Sequence, residues 1–145
     1  MNVGVVCGSR SWPSQSRLFD ACNKILPYSS IVFHGDARGA DRIGALWAVS
    51  RGLPVRAFPA DWQRLGRSAG VRRSADMLRE ALRLVADPVD VLVAAFVVGD
   101  ASRCPGSWFT IREARRLGCC VSIVYPTGLI LPAIPANPSL FTFEE

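Results

Sequence analysis

The chain has 145 residues, half of them hydrophobic, and a mean hydropathy of +0.22, which suits one domain with a substantial core and excludes a disordered chain. The densest apolar run, Val91–Val98, falls far short of the ~18 residues of a membrane-spanning helix, while a net charge of +5 and a pI of about 9.3 favour anionic partners. Five cysteines without CxxC spacing and a single histidine argue against a zinc site or a disulfide framework.

In chain order, Asn2–Cys7 reads as a first strand without the basic flank of a signal peptide. The polar turn Gly8-Ser9-Arg10-Ser11-Trp12-Pro13 follows at once. Leu18, Ala21, Cys22 and Ile25 fall at helical spacing and predict a first helix over Ser16–Ile25, closed by Pro27. Ser30–His34 is a second strand, and Asp41–Arg51 a second helix with Ile43, Leu46 and Trp47 on its apolar face. Gly52 stops that helix. Leu53–Phe58 is a third strand, and Pro59–Gly70 a long polar connection.

Val71–Ala86 is the clearest helix, with Met77, Leu78, Ala81, Leu82 and Val85 along one side and Arg72, Asp76, Arg79 and Arg83 along another. Val89–Val98 is apolar almost throughout, as a central parallel strand buried on both faces should be. A turn-rich loop, Gly99–Gly106, leads to a fourth helix, Ser107–Leu117, ended by Gly118. Cys119–Tyr125 is a fifth strand. The tail, residues 126–145, is too proline-rich for a helix and too apolar for a free linker, so it is expected to lie along the body or a partner.

Five strands alternating with four helices across short links predict an α/β fold: a Rossmann-like three-layer sandwich, its sheet mainly parallel, with helices on both faces. Ligands of such sheets sit beyond the carboxyl ends of the strands, where the winding reverses. The loops after the first, second and fourth strands are therefore the candidates.

Gly8, Ser9 and Arg10 offer backbone N–H groups, a hydroxyl and a guanidinium directly after a strand. His34-Gly35-Asp36-Ala37-Arg38-Gly39-Ala40-Asp41 joins a buried strand to a helix N-terminus, where unpaired N–H groups and the helix dipole suit phosphate. Its two glycines, four apart, match neither GxGxxG nor the P-loop. Asp41 either caps the second helix or accepts hydrogen bonds from ribose hydroxyls. Arg73 falls in the first turn of its helix, where a cation is disfavoured unless an anion is near, or where it pairs with Glu80 or another carboxylate. Pro105-Gly106-Ser107 opens the fourth helix and supplies another N-terminal anion site, with Ser107 as cap or phosphate ligand. Sixteen of the seventeen basic residues are arginine, a bias that a GC-rich genome or phosphate recognition by guanidinium forks would produce.

Taken in order, GSRSW, HGDARGADRIGALWA, GLPVRAFPADW, AGVRRSADML and PGS with Ala114 and Gly118 beyond it resemble the SLOG superfamily. That superfamily joins the DNA-processing (DprA/Smf) proteins to the lonely-guy (LOG) proteins. Its YspA/YpsA-related branch of small proteins, common in actinobacteria and phages, is the most similar. The resemblance covers residues 3–125. It implies a Rossmann-like domain over residues 1–125 that binds nucleotides or their derivatives as a homodimer in the cytoplasm of the bacterium or of a phage's host. Carried over by position, Gly8, Ser9 and Arg10 form a first phosphate loop and Gly35, Arg38, Gly39 and Asp41 a second. Asp61 and Trp62 form a flanking wall. Arg73 and Met77 match the branch's RNxxM motif, with Ser74 in place of its asparagine, and Gly106-Ser107 stands at the family's Gly-Thr. Lonely-guy enzymes continue PGGxGTxxE, and their glutamate helps cleave the N-glycosidic bond of a nucleoside monophosphate. Thr110 occupies that position here, and Glu113 lies about one helical turn later.

Three functions follow. The first is a nucleotide-binding sensor or sequestering domain. The second is a hydrolase that uses Arg73 on phosphate and Asp41, Asp36 or Asp61 as base. The third is a single-stranded-DNA-binding protein, its bases stacked on Trp12, Trp62 or Trp108. No dedicated cofactor is expected, although Mg²⁺ accompanies many phosphorylated ligands and needs few protein groups.

Overall fold

The computed structural model describes residues 1–133. Its strands are β1 (Val3–Gly8), β2 (Ile31–His34), β3 (Val55–Ala57), β4 (Val91–Phe96), β5 (Cys120–Val124) and β6 (Ile130–Leu131). Its α-helices are α1 (Gln15–Ile25), α2 (Ala40–Ser50), α3 (Trp62–Leu65), α4 (Ala69–Arg83) and α5 (Pro105–Arg116). The strands lie in the order β3-β2-β1-β4-β5-β6, parallel from β3 to β5. This is the Rossmann-like sandwich that the alternation of elements predicts.

The alternation of side chains across β1 explains the three layers. Val3, Val5 and Cys7 project to one face, against Met77, Leu78 and Ala81 of α4 and Ile111 and Ala114 of α5. Val6 projects to the other, against Leu18 and Cys22 of α1 and Trp47 and Ala48 of α2. β4 is apolar throughout because it too is covered on both faces, and Val91 and the run Val93–Phe96 are wholly buried. Trp47 belongs to this core, its indole N–H donating to Asn23 Oδ1 at 2.8 Å.

Two elements differ from the sequence-based expectation. The sheet has six strands, not five: Pro126–Gly128 turns the chain back, and β6 pairs antiparallel with β5 through Ile123↔Leu131 and Val124↔Ile130. A two-residue strand is too short to show a periodicity. Within the polar connection, Asp61 accepts from the Arg64 N–H at 3.1 Å and caps the single turn of α3. The rest of the tail, residues 134–145, with its expected packing on the body or a partner, lies outside the described residues.

The winding reverses between β1 and β4. From β1 the chain runs outward through β2 to β3, then crosses back along α4 to enter β4 on the other side of β1. The carboxyl ends of these two central strands, Gly8 and Phe96, are directly paired. The crevice above them is where this topology exposes loops from both halves of the fold.

Candidate functional site

The loop after β1 is held from both sides. The Ser9 N–H donates to the Phe96 carbonyl at the end of β4 (2.7 Å), and the Ser9 carbonyl accepts from the Ala40 N–H at the head of α2 (3.0 Å). This close approach requires glycine at position 39, which has φ +74° and where a Cβ would lie 2.6 Å from the Arg10 carbonyl carbon. The consequence is a fixed platform, with the Arg10 guanidinium extended over the Trp62 ring at 5.8 Å from its centroid.

Asp41 is almost wholly buried in the first turn of α2 and reaches back to the end of β2, where its Oδ2 accepts from the Gly35 N–H at 2.7 Å. Arg73, from α4, donates to the carbonyl of the same Gly35. A Cβ at Gly35 would sit 2.6 Å from Arg73 Cζ and 2.8 Å from Asp41 Oδ2, so any larger residue between carboxylate and guanidinium would push one of these side chains aside. Burial pushes the Asp41 carboxyl up to about 6, against the opposing pull of the Gly35 N–H, Arg73, the Ala37 N–H and Arg10. No ion pair to Arg73 occurs among the described residues, and Glu80 instead pairs with Arg56 and Arg83. α4 starts at Ala69, two residues earlier than expected, so Arg73 lies in its second turn and not its first, and its guanidinium faces the crevice.

Pro105 opens α5 at a position where its missing N–H costs nothing. The next two N–H groups, of Gly106 and Ser107, have no hydrogen-bond partner among the described residues, and neither has the Ser107 hydroxyl, although Ser107 is only 8% exposed. One turn on, Thr110 donates to Ser74 Oγ at 3.0 Å and is also 3.1 Å from the Gly106 carbonyl. These two hydroxyls tie α5 to α4 beneath the N-terminus.

These pieces enclose one cavity of about 530 Å³, within the size range of small-ligand sites. Of the residues singled out in the sequence, Gly8, Ser9 and Arg10 line it from β1, Asp41 from α2, and Trp62 from α3. Arg73 and Ser74 line it from α4, and Pro105, Gly106 and Ser107 from α5. Gly35 and Gly39 stand behind this lining and shape it. Asp36 and Arg38 are exposed and do not line the cavity. Asp36 pairs with Arg42 at 3.6 Å and donates its N–H to His34 Nδ1 at 3.0 Å. Burial holds the His34 imidazole below its usual value, so His34 is a neutral packed acceptor. Asp61 serves as the α3 cap.

Among the further lining residues are Arg67, Arg103 and Thr110, together with the apolar side chains of Val71, Met77 and Phe109. Both arginines lie two residues before a helix that starts at the crevice, α4 and α5, a position that marks them only once the topology is known. Four arginines therefore face the cavity, Arg10, Arg67, Arg73 and Arg103, against one carboxylate, Asp41. Such an arrangement concentrates positive potential in a concave, partly desolvated space. Glu113 is not in the lining, since it pairs with Arg116 on the outside of α5. Among the described residues no group of three or more His, Cys, Asp or Glu side chains could hold a metal ion, and no helix is long and apolar enough to cross a membrane.

Comparison with known proteins agrees with this architecture. A family model described as the YspA, cpYpsA-related SLOG family matches residues 3–65, the part that carries the β1 loop, the Gly35–Asp41 turn and Trp62. The chain is also 35% identical over 124 residues to the gene 61 protein of Mycobacterium phage D29, an alignment that covers 79% of this chain and 89% of the phage protein. No solved structure gives a significant match. With most of both chains aligned at that identity, and the β1 loop and Gly35–Asp41 turn inside the matched segment, the chain belongs to the YspA, cpYpsA-related SLOG family.

Proposed function

We propose that the chain binds a nucleotide or nucleotide-derived molecule by its phosphate and holds it without turnover, as a sensor or sequestering domain. The observation that carries this reading is the imbalance of charge around the cavity: four guanidinium groups and the unpaired N–H groups of the α5 N-terminus, against one buried carboxylate. Membership of a SLOG family points to the same ligand class.

Hydrolysis is disfavoured by the chemistry of the lining. Cleaving an N-glycosidic bond calls for a carboxylate to activate water or steady an oxocarbenium-like centre. At the position matching the lonely-guy glutamate stands Thr110, already hydrogen-bonded to Ser74. The one carboxylate in the lining, Asp41, is engaged by the Gly35 and Ala37 N–H groups. Single-strand binding is disfavoured by the outer surface of α4, where Asp76 pairs with Arg72 and Arg79 and Glu80 with Arg83. Of the tryptophans that reading invokes, Trp12 is buried against Phe96.

The test is calorimetric titration with nucleoside mono-, di- and triphosphates at two salt concentrations, with and without Mg²⁺, followed by chromatography of the recovered ligand. Saturable binding with modest salt dependence and intact ligand is the expected result. A consumed ligand would make the protein an enzyme and direct attention to Asp41. Binding of single-stranded DNA that falls steeply with salt would replace the nucleotide reading altogether.

A further inference from the structure

We infer that Trp62 is the specificity-determining residue of this site, and that the ligand carries a planar aromatic ring which stacks on it. This rests on the phosphate-binding reading above and adds the second half of the ligand. Of the four tryptophans, Trp12 and Trp47 are buried at 5% and 1% exposure, and Trp108 is half-buried with its indole N–H given to the Gly99 carbonyl at 2.8 Å. Trp62 is 50% exposed, and its indole N–H has no partner among the described residues. Its position is nonetheless fixed. α3 is a capped single turn, and the far edge of the ring lies over the head of α4, where a Cβ on Gly70 would touch Trp62 Cη2 at 3.4 Å. Val71, itself 48% exposed, extends the apolar rim beside it. An indole held half in solvent at the mouth of a cationic cavity is an unused stacking surface.

Arg10 shows which face of the ring is in use. Its guanidinium lies over Trp62, and both side chains line the cavity. A planar guanidinium occupies the place that a flat heterocycle would take. A base entering there displaces Arg10 from the indole and leaves its guanidinium free for the phosphoryl oxygens of the same ligand. One movement thus exchanges an arginine–indole contact for a base–indole contact and a charge-assisted hydrogen bond. The other aromatic ring in the lining, Phe109 of α5, is half-buried and smaller than an indole, and among the described residues no cation lies over it, so Trp62 is the larger surface and the one already in use.

The experiment compares ribose 5-phosphate with nucleoside 5′-monophosphates on the wild type, Trp62→Ala and Trp62→Phe, by calorimetry and by intrinsic fluorescence. Wild type should bind the nucleotides about tenfold or more tighter than ribose 5-phosphate and show a fluorescence change with the nucleotides alone. Trp62→Ala should abolish the preference, bringing the two affinities to within about twofold of each other, and Trp62→Phe should keep most of the preference. If Trp62→Ala weakens both ligands equally, or neither, the inference is overturned while phosphate binding stands. If wild type binds neither compound, the phosphate reading fails and takes this one with it. A single-stranded oligonucleotide that outcompetes the mononucleotides, and that loses its advantage in Trp62→Ala, would assign the ring to a nucleic-acid strand and overturn the mononucleotide assignment.

Discussion

Asp41 and Arg73 meet the same residue from opposite sides, and this explains why each looks out of place by itself. A carboxylate buried in the first turn of α2 is tolerable because two backbone N–H groups and two arginines favour its charged form, yet burial still dominates and the group titrates near pH 6. The sign of the effect on stability follows. Between about pH 4 and pH 6 the folded state keeps a proton that the unfolded chain has lost, so stability falls as pH rises through that window and levels off above it. The full drop is roughly 3 kcal/mol. Asp41→Asn keeps an oxygen for the Gly35 N–H and removes the charge. In urea titrations from pH 4 to pH 8 the stability of the wild type should therefore fall relative to that of the variant as pH rises, the opposite contribution of His34 being common to both. An unchanged slope would mean that Asp41 is ionised throughout and that its burial is compensated.

At the scale of elements, the site is made by the way helix heads are pressed onto strand ends. Gly39 is the point of closest approach between the β1 loop and α2. Gly39→Ala combines a left-handed φ with a steric conflict against Arg10, and chemical denaturation should show a loss of about 1–3 kcal/mol. Gly35→Ala should act differently. Its Cβ strikes the end of a flexible arginine and a carboxylate, so the larger effect should be on ligand affinity, through a displaced Arg73, with a smaller change in the unfolding midpoint. An equal affinity for phosphate in Gly35→Ala and wild type would remove Arg73 from the ligand. The longer helices that create these contacts were legible in the sequence from the spacing of their apolar residues and the strands from short apolar runs, most of them bounded by a glycine or proline. The single turn of α3 and the two-residue β6 were not, since a turn of helix and a pair of strand residues fall below any period. Pairing with β5 and capping by Asp61 create them.

At the scale of the molecule, the sheet order decides which loops share a cavity. Reading by motif identified the β1 loop, Arg73 and the α5 N-terminus, because each carries glycine or arginine beside an expected strand end or helix start. It missed Arg67 and Arg103, which become neighbours of those residues only after α4 crosses the sheet and β4 is placed beside β1. It also included Asp36 and Arg38, whose turn does face the carboxyl end of the sheet but whose side chains are exposed outside the lining. The whole-molecule charge has its own consequence. Arg72, Arg79 and Arg83 of α4 are neutralised by Asp76 and Glu80, while the four arginines around the cavity face one carboxylate, which concentrates positive potential on a ligand there. Doubling or tripling the salt should weaken nucleotide binding by much less than the orders of magnitude typical of an extended nucleic-acid contact. The most direct test of the central claim is a thermal-shift panel of nucleotides and nucleotide-derived signals on wild type and Arg73→Ala, with every stabilising ligand recovered and checked for breakdown. At least one phosphorylated ligand should raise the melting temperature of the wild type, fail to do so at the same concentration in a folded Arg73→Ala, and be recovered intact. An equal shift in both proteins, or none in either, would contradict the assignment of the cavity as a phosphate-binding site.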